Sequence, residues 1–175
     1  MRQLTLMIAL AALAGCTDRP RAPALRDESV FDNTREGIRF LTPSGWTLQA
    51  RSEVPPGPAD TERLLVRYAG PPSATPPSFE VALQDLAEST DLVAHLKAPS
   101  HSITTPWNIA EPAQPLTIGG AAGNRFTFSQ GDITKETVAF RRGARVYFFT
   151  GIFATADTQS RDQIRQAVQS LSWTK

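Results

Sequence analysis

The pattern of apolar and polar positions divides this chain into three parts. Leu4 to Leu13 is apolar at nearly every position. That run is too short for the roughly 20 residues of a spanning helix and suits the core of a signal peptide. Thr17 to Glu28 carries Pro20, Pro23 and several charges with little apolar period, which predicts a flexible tether with no packed face. From Val30 onward apolar residues recur with strand and helix periods, so residues 30–175 are read as a single globular domain.

Within the domain, Ile38 to Leu41 reads as a strand stopped by a Pro43-Ser44-Gly45 turn, with Trp46 to Leu48 continuing beyond it. Leu64 to Tyr68 is a second β-compatible run. Phe79, Val81 and Leu83 alternate with Glu80, Ala82 and Gln84, as in a strand with one buried face. A short helix follows, capped by Ser89, Thr90 or Asp91 and ending before Pro99, with Leu92, Val93 and Leu96 as its apolar face. Ser100 to Pro115 lacks a period and is expected to be irregular. Beyond the Gly119-Gly120 turn, Asn124–Gln130, Thr134–Phe140 and Arg145–Phe153 predict a three-stranded antiparallel meander. The last of these is apolar at both parities, which places it in the middle of a sheet. Ile164, Ala167, Val168 and Leu171 recur at i, i+3, i+4 and i+7, one face of a closing helix that Asp157, Thr158 or Ser160 can cap. Leu171 to Trp173 ends the domain as an edge strand. The order predicts an α+β fold, an antiparallel sheet with helices packed on it.

Composition narrows the class. Hydrophobic residues make up 41% and charged residues 20%, enough to build an ordinary core. There are 18 Lys and Arg against 17 Asp and Glu, and removing residues 1–15 takes Arg2 and leaves the two signs balanced. Nucleic-acid binding, which demands a basic excess, is not indicated.

The leader is the sharpest signal. Arg2 supplies a positive n-region, and the apolar run ends in Leu13-Ala14-Gly15-Cys16. This resembles the lipobox of bacterial lipoproteins. The resemblance implies cleavage after Gly15, a diacylglycerol thioether on Cys16 and acylation of the new amine. Several acyl chains, at about 0.8 kcal/mol per buried methylene, anchor a protein where one chain is marginal. Cys16 is also the sole cysteine, so no internal disulfide forms, and lipidation consumes a thiol that export would leave reactive. The tether stands the domain off the bilayer by roughly 20 Å if it behaves as a flexible coil. Arg19, Arg21 and Arg26 touch lipid headgroups or simply solvate it. Thr17, in place of the aspartate that retains some lipoproteins in the inner membrane, implies the outer membrane in an enterobacterial-type cell.

Phe40-Leu41-Thr42-Pro43-Ser44-Gly45-Trp46 resembles the Pro-x-Gly-Trp turn that opens domains of the PsbP and Mog1 type. Gly123-Asn124-Arg125-Phe126, the Arg142-Gly143 hairpin into Val146-Tyr147-Phe148-Phe149, and the closing helix before Ser170-Leu171-Ser172-Trp173 follow in the same order. The resemblance covers about residues 36–174. It implies an α/β/α sandwich and a mostly non-catalytic role, and it transfers no site residue.

Direct chemistry is sparse. His95 and His101 stand six apart, whereas helical metal pairs stand four apart, and no other His or Cys completes a set. No Gly-x-Ser-x-Gly elbow is present. Asp85 with Glu88, or Glu80 with Asp85, form carboxylate pairs that suit either glycoside hydrolysis or a solvated face. Gly119-Gly120-Ala121-Ala122-Gly123 lacks the Lys-Ser or Lys-Thr of a phosphate loop. No motif demands a metal or cofactor. Arg141, Arg142 and Arg145 cluster at a hairpin, either as a solvated turn or as contacts for an acidic partner or lipid phosphate. Trp107, between Pro106 and Asn108 in aperiodic chain, is the tryptophan expected to sit on a contact surface. Trp46 and Trp173 are expected in the core.

The leading expectation is therefore a membrane-anchored envelope lipoprotein whose domain binds another envelope protein without catalysis. An envelope hydrolase and a small-ligand carrier are the alternatives.

Overall fold

A computed structural model describes residues 29–53, 58, 61–97 and 106–174. The leader, Cys16, the tether and His101 lie outside the described residues. The chain forms β1 (Val30–Asn33), β2 (Ile38–Leu41), β3 (Thr47–Arg51), β4 (Arg63–Ala69) and β5 (Ser78–Asp85). Helix α1 (Leu92–Lys97) follows, then β6 (Asn108–Ile118), β7 (Ala121–Gln130), β8 (Ile133–Arg142) and β9 (Arg145–Ala154). Helix α2 (Thr158–Gln169) and β10 (Ser172–Trp173) close the domain.

Two antiparallel sheets result. The larger has the order β3-β4-β5-β9-β8-β7-β6, and the smaller β1-β2-β10. β9 is the middle strand of seven, as its two apolar faces require, because both must be covered. The strands β6 to β9 are joined in sequence by two-residue turns. Gly119 and Gly120, between β6 and β7, both have positive φ, 57° and 78°, the requirement of the two-residue turn whose twist matches the strands.

The faces of the large sheet carry different layers. Phe79, Val81, Leu83, Val138, Phe140, Tyr147, Phe149 and Phe153 pack with Ile164, Ala167 and Val168 of α2, with Leu171 just beyond its end, and with Phe31, Ile38 and Phe40 of the small sheet. Each of the larger side chains contributes about 2 kcal/mol by leaving water. On the opposite face Phe126, Phe128, Ala139, Val146 and Phe148 pack under Leu96 of α1 and Trp107. The fold is α+β, with the small sheet sharing the α2 layer.

Local chemistry ends the helices. Asp91 accepts from the Val93 and Ala94 amides at 2.9 and 3.2 Å, capping α1. Asp157 accepts from the Ser160 amide at 3.0 Å, capping α2, and that bond holds its carboxyl below the ordinary value. At the other end of α2, Ser170 Oγ donates to the Ala167 carbonyl and accepts from the Leu41 amide at 2.8 Å, fastening the helix to β2. The Pro43–Trp46 turn closes on an amide–carbonyl bond of 3.3 Å, with Gly45 at φ 78°. It clasps α2: Trp46 Nε1 donates to Gln163 Oε1 at 2.8 Å, and Gln163 Nε2 donates to the Ser44 carbonyl.

One expectation fails in the middle of the chain. The stretch from Ser100 to Pro115, expected to be irregular, contains most of β6, which pairs with β7 and lengthens the meander to four strands. β6 is an edge strand exposed along nearly its whole length, so neither face imposes an apolar period. Its register shifts on both sides of Glu111, and the edge position tolerates Pro112 and Pro115, which lack the amide a central strand needs.

Candidate functional site

The three hairpin arginines do not form a common patch. Strand alternation sends neighbouring Arg141 and Arg142 to opposite faces. Arg142 stacks over the Trp173 ring, 4.8 Å from its centroid. Arg145 donates to both carboxylate oxygens of Asp85, at 2.8 and 3.3 Å, and to Glu36 at 3.0 and 3.2 Å. Glu36 also accepts from the Tyr147 hydroxyl at 2.9 Å, and Arg63 lies 3.5 Å from Asp85. The hydrogen bond to Asp85 raises the Arg145 pKa and lowers that of the carboxyl. The acidic partners of Arg145 thus lie inside this chain. Arg141 donates one guanidinium nitrogen to the Leu86 carbonyl at 2.9 Å and reaches the α1 face.

Trp107 corrects a second expectation. It is 2% exposed, packed beneath α1 with Phe126 and Phe128, and cannot be a surface contact. It follows an aperiodic stretch because its core position depends on a single anchoring side chain. Lys135 reaches over it: the ammonium lies 4.9 Å from the Trp107 and Phe128 ring centroids and donates to the Leu96 carbonyl. That bond ties the end of α1 to the sheet, where a cation complements the helix dipole. His95 stacks on Phe148 at 5.6 Å, and burial, with Lys135 nearby, lowers its pKa.

Burial pulls the Lys135 pKa down to about 8, against the opposing attraction of Glu62 and Glu80. The unfolded side chain titrates near 10.5, so above about pH 8 the folded state releases its proton first and the unfolded state holds more. Stability therefore rises with pH from about 8 to about 10. Above about 10 Tyr147 reverses the trend: its folded pKa is pushed up to about 12 by burial and by Glu36, so the unfolded phenol ionises first. Urea midpoints measured across this range should rise and then fall, and Lys135→Met should flatten the rise.

The α1 face also carries a concavity. A cleft of about 520 Å³ is lined by Leu92 of α1, Pro115 and Thr117 of β6, Asn124 of β7, and Ala139 and Arg141 of β8. Pro115, Asn124 and Ala139 form one cross-strand row that continues beneath α1 as Phe148. Beside it lies an apolar groove of about 90 Å³, lined by Val93, Ile109, Pro112, Ala113 and Phe126. Ile109 is 51% exposed at its rim. The cleft offers a mixed apolar and polar wall with one guanidinium, and the groove beside it an apolar one, together the chemistry to hold an apolar side chain beside a carboxylate or a carbonyl. Sequence reasoning found Arg141 but not the walls, whose residues are small, polar or proline and carry no motif.

The other candidates separate. Glu80 pairs with Arg67 at 2.7 Å. It lies an odd number of residues from Asp85 along β5, so the two carboxylates point to opposite faces of the sheet. Glu88 is exposed. Among the described residues no group of three or more His, Cys, Asp or Glu could hold a metal ion, and no helix is long and apolar enough to cross a membrane.

No protein-family model matches this sequence, and no curated protein matches it. A likeness does appear among solved structures. The solution structure of cyanobacterial PsbP (CyanoP) from Synechocystis sp. PCC 6803 aligns with a TM-score of 0.59 at 12% identity, covering 83% of this chain and 91% of that chain. The likeness is one of fold, and on it this domain has a PsbP-like architecture.

Proposed function

We propose that this chain is a lipid-anchored protein of the bacterial cell envelope whose domain is a non-catalytic binding or scaffold unit. The observation that carries the binding role is the incompletely covered α1 face. Among the described residues a six-residue helix roofs only part of it, with the cleft and the groove side by side and Ile109 at the rim. An extended segment of an envelope protein fits such a surface, with an apolar side chain in the groove and a carboxylate or carbonyl toward Arg141. Leu13-Ala14-Gly15-Cys16 supports the anchor. The ion pairs elsewhere in the domain support a scaffold role, since Arg145, Asp85, Glu36 and Arg67 are engaged with one another or with Glu80.

The test has two arms. Cells grown with labelled palmitate should label the full chain, and Cys16→Ala should abolish both label and membrane fractionation. Capture of the lipidated protein from membranes should enrich a partner that Ile109→Asp and Thr117→Arg lose, while Arg161→Ala on exposed α2 retains it. No enrichment, or equal capture by all variants, overturns the binding surface. An unlabelled wild type overturns the anchor.

A further inference from the structure

Two large apolar side chains are exposed among the described residues, Leu41 at 47% and Ile109 at 51%. Ile109 belongs to the groove. Leu41 stands elsewhere, on the outer face of the small sheet. Phe31, Ile38 and Phe40 point inward from that sheet to the large one, so Val30, Asp32, Arg39 and Leu41, which alternate with them, point away. Val30 and Leu41 are register partners. They sit where the chain enters the domain, because the Ser29 carbonyl accepts from the Thr42 amide at 3.1 Å.

We infer that this outer face, with Leu41 and Val30 at its tether end and Arg39 beside them, is the surface the domain lays against the lipid bilayer. The inference rests on the anchored reading. Residues 17–28 separate Cys16 from Ser29, a length of chain whose coil dimension is roughly 20 Å. A domain of this size is about 35–40 Å across. A tether shorter than the body it holds brings the face around its attachment point to the membrane far more often than the face opposite. That near face carries an apolar pair able to enter the interface, and Arg39 is long enough to reach headgroup phosphates past Asp32, its cross-strand partner. The α1 cleft lies across the large sheet from the small one, so it faces away from the bilayer and stays open to a partner.

Full-length Leu41→Cys and Ile109→Cys variants test this, since lipidation leaves the introduced cysteine as the free thiol. Each is labelled with a nitroxide, reconstituted into vesicles of phosphatidylethanolamine and phosphatidylglycerol, and recovered by flotation. Accessibility to a water-soluble paramagnetic reagent should fall several-fold at position 41 relative to detergent and stay unchanged at position 109. Protein that floats with both positions equally accessible overturns the orientation while leaving the anchor standing. Protein that does not float overturns both. Shielding of position 41 in detergent that grows with protein concentration assigns the face to a second copy and also overturns the inference.

Discussion

Replacing Gly151 with valine is expected to destabilise the domain by about 3 kcal/mol, the upper range for forcing atoms into a packed core. Gly151 lies on the central strand β9 directly beneath α2. A β-carbon there would stand 2.8 Å from Ile164 Cδ1 and 2.9 Å from Cγ2, closer than carbon atoms pack. The helix rests on bare backbone at this point, so a side chain must lift it. The lift would also disturb Trp46 and Ser44, which grip the same helix through Gln163. Urea denaturation should show a lowered midpoint. Ile164→Ala, destabilising by itself, should restore part of the loss when combined with Gly151→Val. A double-mutant cycle with no favourable coupling would reject this contact as the cause.

Removing the carboxylate of Glu136 is expected to cost about 3 kcal/mol, because breaking a buried ion pair strands its partners. Glu136 is the cross-strand neighbour of Gly151 and lies under the same helix. Its side chain is only 4% exposed, yet it accepts two hydrogen bonds from Arg165 Nε, at 3.0 and 3.1 Å, and another from Nη2. Arg125 of β7 stands 3.5 Å away on the other side. Bonding to Glu136 raises the Arg165 pKa. Glu136→Ala therefore leaves two guanidinium groups competing for one depleted site, while Glu136→Gln keeps an acceptor and should lose less. Thermal unfolding of the two variants orders them. Equal losses would mean that packing, not charge, sets the cost.

These two sites show where sequence reading stops. The apolar stripe of Ile164, Ala167, Val168 and Leu171 is plain in the sequence, and all four are buried, although α2 ends at Gln169 and Leu171 packs just beyond it. That the stripe lands on Gly151, and that Arg165 lands on Glu136, depends on register and approach. Glu36 and Arg145 are 109 positions apart, and their bond exists only because the β1–β2 turn folds over the end of β9. Such pairs leave no local trace, since a charged residue in a turn reads the same with or without a partner. Trp107 fails for a related reason: one buried aromatic at the start of an exposed strand makes no period. Of the cleft, Arg141 alone was visible in advance, as part of a basic cluster that strand alternation then split.

Periodicity by itself determined that strands would dominate, that Arg145–Ala154 would be central, and that a capped amphipathic helix would close the domain. Those features follow from each residue's own preference for water or core. Tertiary structure alone decided the second sheet, the edge strand β6, the destination of each arginine and the cleft beside α1. These depend on which surfaces remain uncovered after the elements have packed, a property of the assembled layers that no single segment carries.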